Sequence, residues 1–443
     1  MGWREEYQSK LTTFEEAAKL VRSGDVVTMG FGPAAPSSEF YEALMDRWEE
    51  LQDVRIVDAL QVRKTRLYDP EFLEKVDGHI TYSPGFGGGA VRPVYRAKRF
   101  DFFGGCATNS NAERYSNLAD VFVQMVTPPN DHGFVNMGIS SFYGMAIARR
   151  GREIGKLRIM IAEVNDKLPM VYGDNWVHVS QIDAFIENSA PVVTFARAVP
   201  GETEKMIAGY VSDLIDDRCT IQMGFGSIPE AIIPMLEGKK DLGVVTEMFP
   251  SGLPDLVAKG IVTNKYKPFH KGVTIASFCL GDQAMYDFID RNPQTELYPI
   301  EYTNNPAFIG AHPNMRSINM AIMVDLNGQI CSESIGHRLV SGPGGQPDFQ
   351  VGAFLSEGGF PITVLTAARK QKDGSLSSSI LPTLPPGTVV TVPRTFAHKI
   401  VTEYGVADLR DKSSRQRAEA LINIAHPDLR EELRAQARKL LYP

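Results

Sequence analysis

The sequence predicts an α/β protein of two duplicated domains, each with a mostly parallel sheet flanked by helices. First, the order helix, strand, Met-Gly-Phe-Gly, proline and helix occurs twice, at Gly30 and again at Gly224, an offset of 194 residues. Second, extended runs alternate with helical patterns in both halves, which is typical of parallel sheets. Third, prolines flank an apolar run in the segment Ala190–Gly201. A repeat this long indicates a duplicated domain rather than a solenoid. We predict domains over 1–195 and 196–443.

The first copy begins with an amphipathic helix over Thr12–Gly24. Thr13 and Glu16 have the spacing of a capping box, and a glycine ends the pattern. A strand over Asp25–Gly30 follows, and then the glycine loop Gly30–Ala35. The first copy thus has the order helix, strand and turn that the second copy should share.

The second copy has a helical pattern over Glu204–Ile215, a strand over Cys219–Gly224 and the loop Gly224–Pro229. A second internal similarity aligns Asp120–Val126 with Asn319–Asp325, because each run precedes a turn that contains aspartate or asparagine and glycine. The chain ends in a charged helical pair over 415–441 that Pro427 interrupts, and we expect it to pack on the outside.

The composition excludes several classes of function. The 443 residues are 43% hydrophobic and carry a net charge of −7, without a Lys/Arg tract that would suit nucleic acid or a membrane surface. The start, MGWREEYQSK, is not a signal peptide, and no apolar run approaches the roughly 20 residues that span a bilayer. The scattered cysteines predict reduced thiols in the cytoplasm rather than disulfides or a metal site; they are Cys106, Cys219, Cys279 and Cys331.

The two glycine loops are candidates for ligand contact. Gly30–Ala35 matches the GxGxx(G/A) dinucleotide fingerprint, and Asp58 could serve as the ribose acid, but prolines stand where the fingerprint helix should begin. We therefore interpret both loops as strand-to-helix turns whose bare amides face a ligand. The alternative is two tight turns without a ligand. Ligand contact is favoured for the second copy, because Glu247 follows closely.

Motifs for other chemistry are missing. GxSxG, GxxxxGK(S/T) and HExxH do not occur, the histidines are scattered, and His132 suits a turn. Covalent chemistry would then depend on Glu247, in the stretch LGVVTEMFPSG, where a strand ends in a carboxylate before a turn. A strand that simply reaches water would look the same. The loop Ser341–Phe349 could hold an oxyanion with its glycine amides, or could be an irregular surface loop.

A carboxylate attacks an activated acyl group that is held beside it. The resulting anhydride keeps the activation, and so does a glutamyl thioester. A glutamate is therefore suited to exchanging CoA between acids with little net change in free energy, provided that amides stabilise the oxyanion and water is excluded.

These residues carry a resemblance that covers nearly the whole chain. The sequence resembles the acetyl-CoA hydrolase/transferase family, and within it the 4-hydroxybutyrate and butyryl-CoA:acetate CoA-transferase branch of the class I CoA-transferases. The matching segments, in order, are Ile161–Asn165, Val177–Asp183, Gly224–Pro229, Thr246–Met248, Tyr302–Asn304, Ser341–Phe349 and Val401–Arg410.

The resemblance implies two CoA-transferase-type (NagB/RpiA-like) domains with the active site between them, and a homodimer or larger homo-oligomer. Glu247 would form an acyl anhydride and then a CoA thioester. The substrates would be an acyl-CoA and a small carboxylic acid, with no prosthetic group. The residues implied to contact CoA are Gly224, Phe225, Gly226, Ser227, Ile228, Ile322, Gly344 and Gly345.

One departure from the family concerns the substrate. The family commonly has histidine before Thr-Glu-Met, where this chain has Val245, which should make the acyl pocket drier. Phe86 and Met29 would narrow an acyl pocket if the first domain supplies one wall. Butyrate, 4-hydroxybutyrate and acetate are the family's usual acids, and a dicarboxylate such as succinate or itaconate is an alternative. Two rival functions are an acyl-CoA hydrolase that uses the same glutamate and a non-catalytic CoA or nucleotide sensor.

Overall fold

The structure of the chain is a computed structural model that describes residues 2–60, 62–102 and 109–441. The chain divides into two compact units. Unit 1 contains residues 1–195 and 275–303, and unit 2 contains residues 196–274 and 304–443.

The first segment of unit 1 alternates helices and strands. Its helices are α1 (Trp3–Ser9), α2 (Phe14–Ala18), α3 (Ser38–Met45), α4 (Pro70–Lys75), α5 (Arg92–Ala97), α6 (Asn109–Leu118) and α7 (Gly144–Ala146). Its strands are β1 (Val26–Met29), β2 (Val54–Ala59), β3 (Ile80–Phe86), β4 (Val121–Val126), β5 (Phe134–Asn136), β6 (Ile159–Val164), β7 (Tyr172–Gly173), β8 (Trp176–His178) and β9 (Ala184–Glu187).

The middle of the chain contributes to both units. Residues 196–273 form α8 (Glu202–Asp213), β10 (Thr220–Met223), α9 (Ser227–Met235), β11 (Gly243–Val244), β12 (Met248–Phe249) and α10 (Leu253–Ala258). Residues 274–303 form β13 (Thr274–Ala276), β14 (Phe278–Cys279), α11 (Gln283–Ile289), β15 (Thr295–Leu297) and α12 (Ile300–Thr303).

The last segment completes unit 2. Its helices are α13 (Pro306–Gly310), α14 (Gln346–Leu355), α15 (Ser414–Asn423) and α16 (Arg430–Leu440). Its strands are β16 (Met315–Met320), β17 (Met323–Asp325), β18 (Ile330–Cys331), β19 (Ser334–Ile335), β20 (Arg338–Leu339), β21 (Phe360–Val364), β22 (Ala368–Lys370), β23 (Leu376–Ser378), β24 (Ile380–Leu381), β25 (Lys399–Thr402) and β26 (Gly405–Asp408).

Each unit is built on a six-stranded sheet. In unit 1 the order is β3-β2-β1-β4-β6-β9, with every neighbouring pair parallel. In unit 2 the order is β11-β10-β16-β21-β25-β26, and only the β25–β26 pair is antiparallel. The inner strands β4 and β10 are fully buried, as expected when helices cover both faces of a parallel sheet. The predicted fold class, two α/β domains with mostly parallel sheets, is confirmed.

The duplication is visible in the sheets. Strand β1 lies between β2 and β4, and in the same way β10 lies between β11 and β16. Val121 and Met315, which begin those two neighbouring strands, are again 194 residues apart. The predicted second internal similarity, Asp120–Val126 with Asn319–Asp325, was therefore aligned too far along the second half of the chain. A similar apolar pattern continues from β16 into β17, and the sequence alone does not show which of these runs joins the large sheet.

The assignment of residues 275–303 to a unit differs from the predicted assignment, in which the chain was divided only once, at 195/196. The prediction put them in the second domain, whereas they belong to unit 1. Glu296 of β15 pairs with Tyr172 of β7, and the Tyr286 hydroxyl donates to the Val193 carbonyl at 2.9 Å. These partners are over 90 residues away in the chain, so a local pattern does not reveal them.

The predicted helices are partly longer than the real ones. Of Thr12–Gly24 only α2 is α-helical, with the Thr13 hydroxyl accepting from the Glu16 amide at 3.3 Å. After Ala18 the hydrogen bonds span three residues instead of four, as in a tighter helical turn, because the Val21 amide donates to the Ala18 carbonyl. The C-terminal helical pair is confirmed as α15 and α16. Within the described residues no helix is both long and apolar enough to cross a bilayer.

Candidate active site

Glu247 lies where the edge strand of the unit 2 sheet ends. Strand β11 pairs in parallel with β10, where Val244 is opposite Ile221. The Val245 amide still donates to the Ile221 carbonyl at 3.2 Å, and Val245 and Thr246 are fully buried. Glu247 itself is partly buried. The carboxylate is therefore held at the carboxyl end of a parallel sheet, where α/β proteins place their ligands.

The Thr246 hydroxyl fixes the turn that carries Glu247. Its Oγ1 donates to the Met248 carbonyl at 2.9 Å, across the glutamate, and lies 3.5 Å from the Met223 carbonyl at the end of β10. The glutamate consequently lies at a bend in a short, internally bonded segment between β11 and β12. The Met223 contact also brings this segment next to the turn that begins at Gly224.

Two donors contact the carboxylate. The side-chain amide of Asn304 donates from Nδ2 to Glu247 Oε2 at 2.8 Å, and the Gly345 backbone amide is a second donor to the carboxylate. Asn304 is fully buried, and its Nδ2 also lies 3.5 Å from Oδ2 of Asp348, which is 3% exposed. The amide thus lies between two carboxylates and is held by both.

Gly345 leaves the room that the carboxylate occupies. A Cβ on Gly345 would lie 1.7 Å from Glu247 Oε2 and 2.3 Å from Asn304 Nδ2, distances that no side chain can adopt. Gly344 has φ +56°, the left-handed region that favours glycine. Gly345 caps α14, so the carboxylate also lies at the positive end of that helix. The two predicted loop glycines therefore have separate roles, one in chain reversal and one in close approach.

Burial changes the acidity of this carboxyl group. Loss of water contact raises the pKa of Glu247 from 4.5 to about 7, although the Asn304 and Gly345 donors act in the opposite direction. Near neutral pH both protonation states are therefore populated. The ionised state is destabilised relative to that of an exposed glutamate, which favours reaction with an electrophile.

The predicted turn Gly224–Ile228 follows β10, the neighbour of β11. Gly226 has φ +134° and caps α9, while Ile228 is buried in the first turn of that helix. Phe225, by contrast, is 61% exposed, which is unusual for a large aromatic side chain. The Ser227 hydroxyl lies 3.5 Å from a carboxylate oxygen of Glu204. The turn presents bare backbone and one exposed ring.

Ile322 follows β16, the next strand of the same sheet. It is partly buried, and its amide donates to the Cys331 carbonyl at 2.8 Å. Met320, two residues earlier, lies against the turn, because its sulfur is 2.7 Å from the place of a Cβ on Gly226. The sequence did not single out Met320 or Asn304. The exposure of Met320 depends on its neighbours in space, and Asn304 lies in a segment quoted only for its resemblance to the family.

The predicted residues therefore form two groups at one edge of the unit 2 sheet. Glu247 and Gly345 are in direct contact, and the turn at Gly226 contacts the end of β16. Strands β10, β11 and β16 are parallel, so the segments that follow them emerge at the same edge. The Thr246–Met223 approach connects the two groups. This arrangement offers a nucleophile, amide donors and an open glycine turn.

The surroundings of Asp58 in unit 1 do not support its possible role as the ribose acid of a dinucleotide fingerprint. Both of its oxygens accept hydrogen bonds at 2.8 Å, from the hydroxyls of Tyr82 and Tyr68, and the residue is 2% exposed. Met29 is fully buried as a core residue, whereas Phe86 is partly buried. His132 lies in an exposed turn, as expected.

The described residues contain no cluster of three His, Cys, Asp or Glu side chains that could hold a metal ion. Three of the cysteines are buried free thiols, at positions 219, 279 and 331. Cys106 lies outside the described residues.

The described residues form an α/β protein of two related units, one of which holds a carboxylate against a glycine amide. Comparison with protein families then identifies it more narrowly. Residues 1–197 match the acetyl-CoA hydrolase/transferase N-terminal domain, and residues 281–437 match the C-terminal domain of the same family. The chain belongs to the acetyl-CoA hydrolase/transferase family, which confirms the resemblance found in the sequence.

Similar proteins extend over the full chain. The 4-hydroxybutyrate coenzyme A transferase of Clostridium kluyveri is 36% identical over 99% of this chain and 100% of its own length. The butyryl-CoA:acetate CoA-transferase of Anaerostipes caccae is 35% identical over 99% of this chain and 98% of its own. Among solved structures, 4-hydroxybutyrate CoA-transferase from Porphyromonas gingivalis has a TM-score of 0.78 at 32% identity and covers 99% of both chains. RipA from Yersinia pestis has a TM-score of 0.88 at 29% identity and covers both chains fully.

Proposed function

We propose that this protein is a CoA-transferase that moves CoA between a short-chain acyl-CoA and a free carboxylic acid. The observation that carries the proposal is the carboxylate of Glu247, which receives the Asn304 amide at 2.8 Å and leaves no room for a side chain at position 345. Two of the full-length relatives are named as CoA-transferases, one for 4-hydroxybutyrate and one for butyryl-CoA and acetate, and these names support the same activity.

The first half-reaction transfers CoA to the protein. An oxygen of Glu247 attacks the thioester carbonyl carbon, the C–S bond breaks, and CoA leaves as a thiolate. The thiolate then attacks the side-chain carbonyl carbon of the glutamyl anhydride. The acid leaves as a carboxylate, and a thioester between Glu247 and CoA remains. No proton is needed in either step, because thiolate and carboxylate are the leaving groups.

The second half-reaction reverses these steps with another acid. The incoming carboxylate attacks the Glu247 thioester, CoA leaves as thiolate and then attacks the acyl carbon of the new anhydride. The new acyl-CoA departs and Glu247 returns to its ionised form. Since the first acid leaves before the second one reacts, the kinetics should be ping-pong.

The neighbours of Glu247 suit these intermediates. The Gly345 amide would donate to an oxyanion at the thioester stage, and the Asn304 amide donates to the carboxylate. The turn Gly224–Ile228 and Ile322 would contact CoA, because they follow neighbouring strands at the same sheet edge. Gly344 would let the chain turn close to the thioester, since its φ of +56° favours glycine.

The test is the Glu247→Gln variant together with chemical trapping. The variant should lose exchange of a labelled acid into acyl-CoA, because an amide cannot form the anhydride. Borohydride or hydroxylamine should inactivate the wild-type protein only after acyl-CoA has been added, and mass spectrometry should find the change at Glu247. Full exchange activity in the variant would overturn the proposal.

The same assay separates transfer from hydrolysis. If water completes the reaction, CoA is released at the same rate without an added acid. If the protein is a transferase, CoA appears on the second acid only when that acid is present. A protein that only senses CoA would bind it and show neither reaction.

The acid substrate needs a separate experiment. Val245, which stands where the family commonly has histidine, is fully buried beside Thr246. A dry, apolar surrounding favours a monocarboxylate with an apolar chain over a dicarboxylate, because a second charge would have to be buried. A panel of acyl-CoA donors crossed with acceptor acids, including succinate and itaconate, gives the preference directly. The cytoplasmic location and the homo-oligomeric state stay predictions from the sequence.

A further inference from the structure

We propose that Asn264 and Lys267 are positioning residues for Glu247, because their side chains hold the outer side of β11, the strand that leads to the glutamate. The inference rests on the proposed function, since it takes Glu247 as the nucleophile. It assigns a role in the reaction to two residues that the site described above does not include.

The outward backbone groups of β11 belong to Val244. On the inner side of this edge strand, the amides of Gly243 and Val245 donate to the Cys219 and Ile221 carbonyls at 2.9 and 3.2 Å. Successive residues of a strand direct their backbone groups to opposite sides, so Val244 directs its amide and its carbonyl away from β10. Val244 is 1% exposed, and buried backbone groups need hydrogen-bond partners.

Backbone pairing on the outer side of β11 ends just before Val244. Val262 forms a parallel bridge with Leu242, and the Leu242 carbonyl accepts from the amides of Thr263 and Asn264, both at 3.1 Å. Asn264 has φ +54°, in the left-handed region that turns a chain out of a strand. The backbone therefore leaves the edge of β11 two residues too early to pair with Val244.

Two side chains take the place of a neighbouring strand at Val244. Asn264 Oδ1 accepts from the Val244 amide at 2.8 Å, and Lys267 Nζ donates to the Val244 carbonyl at 3.0 Å. Asn264 is 3% exposed and Lys267 is 1% exposed, so water competes little for these bonds. We call this pair of side chains the edge cap. It satisfies both outward groups of the residue three positions before Glu247.

The segment that follows holds both side chains of the edge cap. Lys267 Nζ also donates to the Val273 carbonyl at 2.5 Å, and Asn264 Nδ2 donates to Thr274 Oγ1 at 3.1 Å. The Asn264 carbonyl accepts from the Gly272 amide at 3.1 Å, which closes the loop between them. Since consecutive residues anchor the two side chains, the edge cap has a fixed geometry.

Gly243 makes room for the lysine of the edge cap. A Cβ on Gly243 would lie 2.7 Å from Cγ and 3.1 Å from Cδ of Lys267. Burial of an ammonium group is costly unless hydrogen bonds replace its water. A glycine that admits the lysine stem and two carbonyls that receive its ammonium group therefore indicate a place built for Lys267.

The position of β11 matters for the reaction because Glu247 follows Val244 by three residues. The residues between them, Val245 and Thr246, are fully buried, so a shift of the strand is passed on to the carboxylate. A displacement of about 1 Å at a reacting group can lower the rate about 100-fold. The proposed CoA contacts of the turn Gly224–Ile228 follow β10 instead, so the edge cap should affect kcat and leave the KM for acyl-CoA unchanged.

A plain alternative is that the edge cap only closes an exposed sheet edge and adds stability. Two variants of Asn264 separate this alternative from the proposal. Asn264→Gly removes the acceptor without backbone strain, because glycine tolerates positive φ, whereas Asn264→Asp keeps an oxygen for the Val244 amide. We expect kcat to fall about tenfold in Asn264→Gly at an unchanged KM for acyl-CoA, and Asn264→Asp to retain most of the activity. A purely stabilising role predicts wild-type kcat in all variants that are folded.

A matched control exists in the same unit. Asn314 is exposed, has φ +55° and precedes β16, so Asn314→Gly makes the same substitution in the same backbone conformation away from β11. Lys267→Met, which keeps the length of the side chain but has no donor, should lower kcat as Asn264→Gly does. Circular dichroism shows which variants are folded. Equal kcat values for folded Asn264→Gly and Asn314→Gly would overturn the inference.

A milder variant covers the case in which Asn264→Gly does not fold. Thr274→Val removes only the partner of Asn264 Nδ2 and leaves the edge cap in place, although less firmly held. Its kcat should fall about threefold with the KM for acyl-CoA unchanged. A wild-type kcat in Thr274→Val would then count against the inference and overturn it.

The two proposals fail differently. If the wild-type protein exchanges no acid into acyl-CoA, the proposed function fails, and hydrogen–deuterium exchange still measures the edge cap. Peptides that contain residues 242–249 should exchange faster in Asn264→Gly than in Asn264→Asp or the wild type. Equal deuterium uptake in all three would overturn the edge cap as well. If acid exchange is normal in the wild type and kcat is unchanged in Asn264→Gly, only the positioning inference fails.

Discussion

Asn304 and Glu247 are 57 residues apart in the chain, and their side chains meet with Nδ2 2.8 Å from Oε2. The same Nδ2 is 3.5 Å from a carboxylate oxygen of Asp348. One buried amide therefore separates two acidic side chains and donates to the one that is proposed to react. Its position explains why Glu247 can be ionised at neutral pH despite its loss of water contact.

Replacement of Asn304 by alanine should slow transfer and shift its pH dependence. A hydrogen bond to a charged group is worth about 1.5–3 kcal/mol, so kcat should fall about 10- to 100-fold. Without this donor the pKa of Glu247 should rise further, and the pH profile should move to higher pH. Asn305→Ala is the control, because that side chain caps α13 at the Ala307 amide instead. An unchanged profile in Asn304→Ala would contradict the role.

Replacement of Gly345 by alanine should abolish transfer in a folded protein. The new Cβ would lie 1.7 Å from Glu247 Oε2, so the carboxylate or the loop must move away from the reacting position. We expect kcat to fall by at least about 100-fold, which is a typical effect of losing a donor at an oxyanion. Gly209→Ala, with open space around the site in α8, should behave like the wild type. Activity assays measure the loss of kcat, and circular dichroism shows whether the variant is folded.

The rate should depend on the ionisation of Glu247. Burial raises its pKa to about 7, and only the carboxylate attacks a thioester. The value of kcat/KM for acyl-CoA should therefore rise about tenfold for each pH unit below about 7 and level off above it. Initial rates between pH 5.5 and 8.5 provide the curve. A rate that is flat across this range would mean that another step limits turnover or that the carboxyl group is not buried.

The fold could be predicted from local patterns, whereas the site could be only partly predicted. The 194-residue repeat placed β1 and β10 correctly, because each strand and its glycine turn are continuous in sequence. Glu247 and Gly345 were predicted, since unusual residue types mark a strand end and a bare loop. Asn304 was given no role, because its effect depends on a contact across the fold.

The assignment of residues 275–303 to unit 1 was not predicted, for a similar reason. Its evidence is a long-range strand pair, Glu296 with Tyr172, and such pairings leave no trace in a local pattern of hydrophobic residues. Met320 was missed because an apolar residue at the end of a strand is normally part of the core. Its contact with Gly226 is visible only when both strands are placed in one sheet.

Glu247→Gln should stabilise the protein at high pH. The pKa of Glu247 is raised in the folded state, so the folded protein holds this proton more tightly than the unfolded chain does. The wild type therefore loses stability as the pH rises from about 4.5 to about 7, and the full cost is present above that range. After allowance for partial exposure the variant should gain about 2 kcal/mol at pH 8 and almost nothing at pH 4.5.

Urea unfolding at the two pH values measures this difference. Glu357→Gln removes one charge at an exposed position and is the control for net charge. If Glu247→Gln gives the same change in stability at both pH values, the buried carboxylate does not carry the predicted cost.

The last prediction concerns how Glu247 is held. Thr246 is fully buried, and its hydroxyl donates to the Met248 carbonyl at 2.9 Å on the other side of the glutamate. Valine has nearly the same shape but no hydroxyl, so Thr246→Val leaves that carbonyl without its donor and loosens the segment between β11 and β12. We expect kcat to fall about tenfold with little change in the KM for acyl-CoA, since a loss of about 1–2 kcal/mol would act on orientation. Thr246→Ser keeps the hydroxyl and should retain most of the activity. If valine and serine at this position are equally active, the hydrogen bond does not position Glu247, and the fixed backbone of β11 and β12 must do so alone.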